Sequence, residues 1–304
     1  MACSTTVLQS LAHLILTLRN CIYDLDLFSL NTGIDTLINP DSNILNQHIR
    51  SLYYSLNSFY NHKCSLHSSH CKNGGFSIFH NIRSLKRNLE SLQTHLLSEL
   101  DFQFSIIALT ETRITNLKEI DFNPNISGYV FEYVPTPLSA GGVGIYINEN
   151  LDYTVVERTS NPAFQALWIE ILVPNKRNVI CGVLYRQHNS PESFLSYFNE
   201  TVERFNACDK TVYIAGDFNI HLLKSESCNY AHNCLLSLQS YSFIPLKDKL
   251  TRVYGNSATL IDNILVNNTT NLLSCGNIIS DISDHFSQLC VMSNNLMKRS
   301  VNGF

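Results

Sequence analysis

Charged side chains are scarce in this sequence. They make up 15% of the 304 residues, against about 25% in average soluble domains, and 21 Lys and Arg stand against 25 Asp and Glu. The formal net charge of −4 excludes a strongly basic protein that coats nucleic acid through its overall field. A phosphate-rich partner must therefore be held by a local basic patch or by a metal ion.

The sequence also contains no closely spaced cysteine pair of the C-x-x-C type and no recognisable targeting signal. The ten cysteines form no C-x-x-C motif, which excludes a ribbon-type zinc site and a thioredoxin-like redox motif. Residues 1–18 lack the basic n-region of a signal peptide, and Gln9 and His13 interrupt any apolar run long enough to cross a membrane. We therefore expect a nuclear or cytoplasmic protein with reduced thiols, not secreted and without a membrane partner.

Three regions are predicted along the chain. Residues 1–73 form an N-terminal appendage that is partly helical, since apolar residues recur at helical spacing from Leu8 to Ile22. Residues 74–293 form the main domain, and residues 294–304 a C-terminal tail. Four potential zinc ligands lie near the end of the appendage: Cys64, His67, His70 and Cys71. Their spacing matches no standard zinc site, so a polar linker is preferred to a zinc clip.

The main domain begins with a strand, a helix and a second strand. FSIFH and SIIALT flank a segment with leucines on one face, and this order predicts an α/β core. GGVGIYI, LWIEILV and NVICGVLYR follow without helices between them and predict an antiparallel meander or a mixed sheet. Two later helices are expected, one burying Phe194, Phe198, Val202 and Phe205 and the other near residues 229–240.

Several apolar strands end at a polar or ionisable residue. Asn81 follows FSIFH, Glu111 follows SIIALT, Tyr185 follows VICGVL, and Asp217 and Asn219 follow VYIAG. Sites in α/β proteins form where the carboxyl ends of strands converge, and carboxylates placed there are candidate ligands for a hard cation such as Mg²⁺. This pattern predicts a site at one edge of the sheet.

A second signal is SDHF, where Ser283, Asp284 and His285 are adjacent just before the last strand. This combination can supply a metal ligand and an imidazole that contacts phosphate. Asp262 lies inside an apolar strand, where an unpaired charge is costly. Because a buried histidine needs an acceptor that orients it, we expect Asp262 to pair with His285.

Ordinary structural explanations exist for the same residues. Glu111 is compatible with a helix cap or a solvated loop. Asp217 and Asn219 are compatible with an Asx-turn, and Tyr185 with an aromatic side chain packed at the sheet edge. The individual residues leave these alternatives open.

The joint order of the motifs resembles the endonuclease/exonuclease/phosphatase superfamily, and most closely the endonuclease domain of LINE-type non-LTR retrotransposons. The resemblance covers roughly residues 75–292. It is carried by HNIRSL, LTETRI, GGVGIYI, LYRQ, AGDFNI, LTRVYGNSATLIDNIL and SDHF. It implies an α/β fold that is a four-layered α/β sandwich, in which two mixed β-sheets pack face to face and are flanked by helices.

The resemblance also implies roles for the motif residues. Glu111 is the principal Mg²⁺ ligand, with Mn²⁺ as a substitute ion and with Asn81 and Asp284 as further metal or water ligands. Asp217 positions or deprotonates the attacking water, and His285, oriented by Asp262, stabilises the phosphorane. The remaining roles are contacts with substrate phosphate by Asn81, Asn219, Tyr185, Thr251 and Arg186, and support of Asp284 and His285 by Ser283.

The implied activity is a Mg²⁺-dependent endonuclease that nicks duplex DNA and leaves a 3′-hydroxyl for target-primed reverse transcription. Basic residues expected around the open edge of the site fit a DNA partner: Arg83, Lys86, Arg87, Arg113, Arg186, Lys247, Lys249 and Arg252. Ordinary solvated charge is the alternative explanation of these residues.

Two features depart from the family pattern. Gln187 and His188 stand where prolines usually follow the Tyr-Arg motif, and a reverse transcriptase partner domain is absent from this chain, which ends at Phe304. A fragment, a decayed element and a host gene that keeps only the nuclease are the alternatives. Another phosphatase or phosphodiesterase of the superfamily, or a non-catalytic binding protein, are the rival functions.

Overall fold

The computed structural model describes residues 51–56, 58–59, 75–115, 121–188, 190, 193–206, 208 and 210–292. All of them belong to one compact unit, Gln47–Phe304. The predicted N-terminal helix, the cysteine and histidine cluster and the C-terminal tail lie outside the described residues. No helix among the described residues is long and apolar enough to cross a membrane.

The first sheet has seven strands. They are β1 (Leu52–Tyr54), β2 (Gly75–Asn81), β3 (Ile106–Thr110), β4 (Tyr129–Val134), β5 (Val143–Asn148), β14 (Leu272–Ile278) and β15 (Ser287–Met292). Their order across the sheet is β1-β14-β15-β2-β3-β5-β4. β2 and β3 are parallel because a helical crossover joins them, whereas β15 pairs antiparallel with β2.

The second sheet has six strands. They are β6 (Asp152–Asn161), β7 (Phe164–Leu172), β8 (Val179–Arg186), β9 (Thr211–Asp217), β10 (Ile244–Pro245) and β13 (Asp262–Val266). The order is β10-β13-β9-β8-β7-β6, and only β8 and β9 are parallel among these pairs. A separate hairpin contains β11 (Arg252–Tyr254) and β12 (Ser257–Thr259).

Helices cover the outer faces of both sheets. Against the first sheet lie α1 (Leu85–Ser91), a π-helical stretch (Leu92–Leu97) and α2 (Ser98–Leu100), which bury leucines among strand residues such as Ile78 and Ile107. α3 (Ser193–Asn206) and α4 (Asn229–Ser240) bury the apolar stripes predicted for them, and Phe205 of α3 packs on Trp168 of the second sheet.

The main core lies between the two sheets. It joins Phe79 and Ile145 of the first sheet to Leu167, Val183 and Ile264 of the second. Every residue of β3, β5, β8, β13 and β15 is buried, because helices or loops cover one face of these strands and the other sheet covers the opposite face. The predicted four-layered α/β sandwich is therefore confirmed.

Two details differ from the sequence-based expectation. The meander contains β7 and β8 but not β5, which crosses to the first sheet and pairs with β3 and β4. In addition, Leu52–Tyr54 of the predicted appendage forms the outer strand β1 beside β14. The domain boundary at residue 74 stays a prediction, but strand structure that contacts the first sheet begins before it.

Lys247 connects the two sheets and does not line the open edge, where it was expected. Its Nζ donates to the backbone carbonyls of Gly276 and Leu289, at 2.9 and 2.7 Å, and its side chain is buried. Burial lowers the pKa of this amine. The prediction that Lys247 belongs to the basic surface is therefore wrong.

Candidate active site

The polar strand ends meet at one edge of the two facing sheets. Asn81 ends β2, Glu111 directly follows β3, Asp217 ends β9 and Asp262 begins β13. β2 and β3 are parallel neighbours, and Asp262 lies opposite Asp217 in the register of β13 and β9. The predicted convergence is thus present, with side chains from both sheets.

Asn81 connects the two principal carboxylates. Its Nδ2 lies 3.3 Å from Oε1 of Glu111 and 2.8 Å from Oδ2 of Asp217. Glu111 and Asp217 thus each turn a carboxylate oxygen towards the same point, and the Asn81 amide, whose Oδ1 accepts from the N–H of Arg83, lies beside it. This donor set fits a hard divalent cation such as Mg²⁺ or Mn²⁺.

The carboxylate of Asp262 is oriented by Thr251 and orients His285. Nδ1 of His285 lies 2.8 Å from Oδ2 of Asp262, so the predicted pair is present. The Thr251 hydroxyl donates to the same Oδ2 at 2.8 Å and accepts from the backbone N–H of Asp262. Thr251 is fully buried, so the structure gives it a positioning role and does not support its predicted contact with phosphate.

The charges of Asp262 and His285 act on the neighbouring carboxyl group of Asp217. Carboxylate oxygens of Asp217 and Asp262 and a ring nitrogen of His285 all lie within 4.8 Å of one another. Burial and the nearby Asp262 raise the pKa of Asp217. Burial opposes the charge on His285, but Asp262 outweighs it and raises the pKa of the imidazole to about 9. The imidazole is therefore charged near neutral pH.

The loop after β9 holds Asn219 in the left-handed region, at φ 48°. Its N–H donates to Oδ1 of Asp217 at 3.0 Å, and its Nδ2 donates to the carbonyl of Arg186 at 2.7 Å. The Arg186 guanidinium is buried and donates to the carbonyls of Phe218 and Asn219. Arg186 therefore stabilises the loop through its backbone carbonyls. Its predicted contact with substrate is not supported by this arrangement.

Tyr185 lies on β8 opposite Asp217 of β9. Burial, together with the charges of Glu111 and Asp217, raises the pKa of its hydroxyl. That hydroxyl forms no hydrogen bond with the described residues, so it remains a donor for a ligand. Sequence reasoning missed its neighbour Gln165, whose Oε1 accepts from the N–H of Gly142 at 3.0 Å. The signal was a polar residue on the inward face of an apolar strand.

Gln165 also stabilises the Glu111 loop across the two sheets. Gly141 and Gly142 accept hydrogen bonds from the N–H groups of Arg113 and Thr112. Gly141 has φ 103°, and an added Cβ would lie 2.4 Å from Oε1 of Gln165, so only glycine fits there. Glu111 and Arg113 themselves have positive φ, a strained geometry typical of functional loops.

Both carboxylate oxygens of Asp284 accept hydrogen bonds from arginine side chains. Its Oδ1 accepts from Nη1 of Arg83 at 2.7 Å, and its Oδ2 accepts from Nε of Arg252 at 2.8 Å. An ionised carboxylate has two acceptor sites on each oxygen, so these contacts leave each oxygen of Asp284 able to take a further partner. Glu111 is engaged in the same way, since its Oε2 accepts from Nη2 of Arg113 at 2.9 Å, so the metal-ligand roles of Glu111, Asn81 and Asp284 all stay predictions.

Ser283 connects the two loops that carry Asn81 and His285. Its hydroxyl donates to the carbonyl of Asn81 at 2.7 Å and accepts from the N–H of His285 at 3.1 Å, which agrees with its predicted supporting role. His80, which sequence reasoning missed, lies 3.4 Å from Ser283 through Nε2 and 3.0 Å from Ser287 through Nδ1. The only sequence signal was its position directly before Asn81.

Two mixed sheets packed face to face, with carboxylates and a charged imidazole at one edge, define a class of α/β sandwich proteins with an acidic site at the sheet edge. The family model described as "Endonuclease/Exonuclease/phosphatase family" matches residues 78–285. The chain belongs to this family, as the sequence motifs predicted. Members are typically hydrolytic nucleases or phosphatases and generally use divalent metal ions. No curated protein matches the sequence.

Several solved structures share the fold. The endonuclease domain of TRAS1, a telomere-specific non-LTR retrotransposon, has a TM-score of 0.57 at 11% identity, over 72% of this chain and 98% of that domain. The catalytic domain of Xenopus laevis APE2 has 0.53 at 17% identity, over 72% and 91%. The 3′ phosphatase NExo from Neisseria, bound to a product DNA hairpin, has 0.50 at 15%, over 72% and 99%.

Proposed function

We propose that this protein is a divalent-metal-dependent phosphodiesterase that nicks duplex DNA and leaves a 3′-hydroxyl, as required for target-primed reverse transcription of a retroelement. The observation that carries the proposal is the charged imidazole of His285 beside the buried carboxylate of Asp217. Nδ1 of the imidazole is hydrogen-bonded to Asp262, whereas Nε2 forms no hydrogen bond with the described residues. That N–H can donate to a phosphate oxygen.

The chain's own groups supply most of the expected chemistry. Asp217 would accept a proton from an attacking water; burial and Asp262 raise its pKa, and the charge of His285 lowers it and so favours the ionised carboxylate. His285, as a charged donor, stabilises negative charge on the non-bridging oxygens of the phosphate. Tyr185, which lies opposite Asp217 on the neighbouring strand, and Asn219, whose N–H donates to Asp217, would orient the same phosphate. Mg²⁺ or Mn²⁺, held by Glu111 and Asn81 with Asp217 close by, would supply further charge stabilisation.

A plasmid assay tests the proposal. The purified chain should convert supercoiled plasmid to open circles with Mg²⁺ or Mn²⁺ and not in excess EDTA. A DNA polymerase should extend the nicks directly, because their 3′ ends are hydroxyls. The variant Asp217→Asn should lack activity, which excludes a contaminating nuclease. Equal nicking in EDTA, or nicks that need phosphatase treatment before extension, would contradict the proposal.

A second candidate is the processing of DNA 3′ ends, which the similarity to the 3′ phosphatase NExo favours. A closed plasmid has no ends, so an end-processing enzyme would leave it intact and would release phosphate from a 3′-phosphorylated hairpin. A protein that binds both substrates without turnover would instead be a binding protein that has lost catalysis.

A further inference from the structure

An arginine pair lies beside the proposed catalytic residues. The carboxylate of Asp284 lies between Arg83 and Arg252, with one oxygen on each guanidinium, at 2.7 and 2.8 Å. The side chains of the two arginines are 36% and 30% exposed, whereas that of Asp284 is only 11% exposed. We call these three residues the arginine rim. Two cations against one anion leave the rim with a net positive charge.

Most donors of the rim are available to a ligand. Arg83 uses Nη1, and Arg252 uses Nε, for Asp284. The other N–H groups of these two guanidiniums donate no hydrogen bond to the described residues. Arg252 also packs over the ring of Tyr254, at 5.6 Å from its centroid, and Tyr254 as a whole residue is 65% exposed. The guanidinium is therefore held in place from two sides while its remaining donors stay free.

Short connections join the rim to the proposed catalytic residues. The backbone N–H of Arg83 donates to Oδ1 of Asn81 at 3.2 Å, and its Nε lies 4.0 Å from Oε2 of Glu111. Arg252 forms a β-bridge with His285. An anion bound by the rim would thus lie next to a phosphate held at His285, within the reach of one nucleic-acid backbone.

We propose that Arg83 and Arg252, held by Asp284, bind the phosphodiester group adjacent to the one that is cleaved. This inference rests on the proposed function, because it assumes a substrate with a continuous phosphate backbone. Guanidinium groups bind phosphate through paired N–H donors. A single carboxylate between them neutralises only one of the two charges and keeps both groups in position.

The salt dependence of DNA binding tests the proposal. We would measure the affinity of the full chain for a short fluorescent duplex across a KCl series, with Ca²⁺ in place of Mg²⁺ to limit cleavage. Each protein contact with a phosphate contributes about 0.9 to the slope of log K against log salt. Arg83→Gln and Arg252→Gln should each reduce the slope by about that amount, and Arg83→Lys, which keeps the charge, should retain it.

Arg204→Gln is the matched control. Arg204 also pairs with one carboxylate, that of Glu157, and its side chain is 51% exposed, but it lies on α3 against the edge strand β6. Its replacement should leave the slope unchanged. In nicking assays the rim variants should raise KM more than they lower kcat, whereas a purely structural ion pair would change the thermal midpoint and leave the slope intact.

Each outcome decides the question. Unchanged slopes in both rim variants would overturn the inference, and so would an equal loss in Arg204→Gln. If Arg83→Gln does not fold, Arg252→Gln gives the same measurement from the other side of Asp284. A wild-type chain that binds duplex DNA but never cuts it would refute the proposed function, while the slopes would still report whether the rim contacts phosphate.

Discussion

Asp262 and His285 form one buried unit, with Nδ1 of the imidazole 2.8 Å from Oδ2 of the carboxylate. The carboxylate only accepts hydrogen bonds, so Nδ1 is the donor and the direction of Nε2 is fixed. The same contact raises the pKa of His285 to about 9 against the opposing effect of burial. Orientation and charge of the imidazole therefore have a common origin in Asp262.

The unit predicts non-additive mutations. His285→Ala should lower kcat by about 10²–10⁴-fold, as expected for loss of a positioned proton donor. Asp262→Ala should cause a loss of similar order, because it removes both orientation and charge. The double variant should be little worse than His285→Ala alone. Single-turnover rates check this, and losses that multiply would show that the two residues act independently.

Glu111 and Asp217 should differ in their response to metal. Glu111→Ala weakens the donor set for the cation, so its lost nicking activity should partly return at high Mn²⁺. Asp217→Asn keeps an oxygen donor near the cation but removes the base, so Mn²⁺ should not restore it. Titration of both variants with Mn²⁺ gives the comparison, and recovery of Asp217→Asn with Glu111→Ala unresponsive would reverse the two assignments.

Lys247 should make stability depend on alkaline pH. Its pKa in the folded protein is below the ordinary value, so between the folded pKa and the unfolded value of about 10.4 the unfolded chain binds more protons. The free energy of unfolding due to Lys247 must then rise with pH across that window.

Lys247→Met removes the titrating amine and should not show this rise. Burial raises the pKa of Cys275 and Cys290, and the charge of Lys247 lowers it. Urea unfolding at neutral pH and near the unfolded pKa is therefore compared with both cysteines replaced by alanine in the two proteins. A difference in unfolding free energy that is independent of pH would mean that Lys247 keeps an ordinary pKa.

Deletion of residues 1–73 should destabilise the domain, since it removes β1. Tyr54 and Phe59 are buried and pack edge to face, and Tyr53 contacts Phe286, directly after His285, in the same manner. Loss of one buried aromatic side chain costs about 3–5 kcal/mol. A chain that begins at Gln47 should keep these contacts. Chemical unfolding of the two truncated chains compares them, and equal stabilities would show that β1 contributes little.

Much of this architecture was predictable from the sequence. The strand ends at Asn81, Glu111 and Asp217 could be predicted because each apolar run stops at a polar residue. Asp262 is a charged residue within an apolar run, and this predicted that it has a partner. These are local patterns. The family motifs then fixed the fold, since their order along the chain is specific.

The contacts that the sequence did not reveal join residues far apart in the chain. Arg83 and Asp284 are separated by 201 positions, and nothing local distinguishes an arginine that pairs with a carboxylate from one in water. The burial of Lys247 depends on carbonyls of two later strands. The position of β5 in the first sheet likewise depends on its pairing with other strands, and a run of apolar residues does not show which strands it pairs with.

The strand order of the first sheet constrains when the protein can assemble. β1 and β2 are not neighbours, because the last two strands of the described chain, β14 and β15, lie between them. During synthesis on the ribosome, the edges of β1 and β2 that pair with β14 and β15 stay unpaired until residues 272–292 have been made. Pairing across such sequence distances is slow, and exposed strand edges invite association with other chains. Nascent chains stalled before β14 should therefore be the species that aggregates or recruits chaperones.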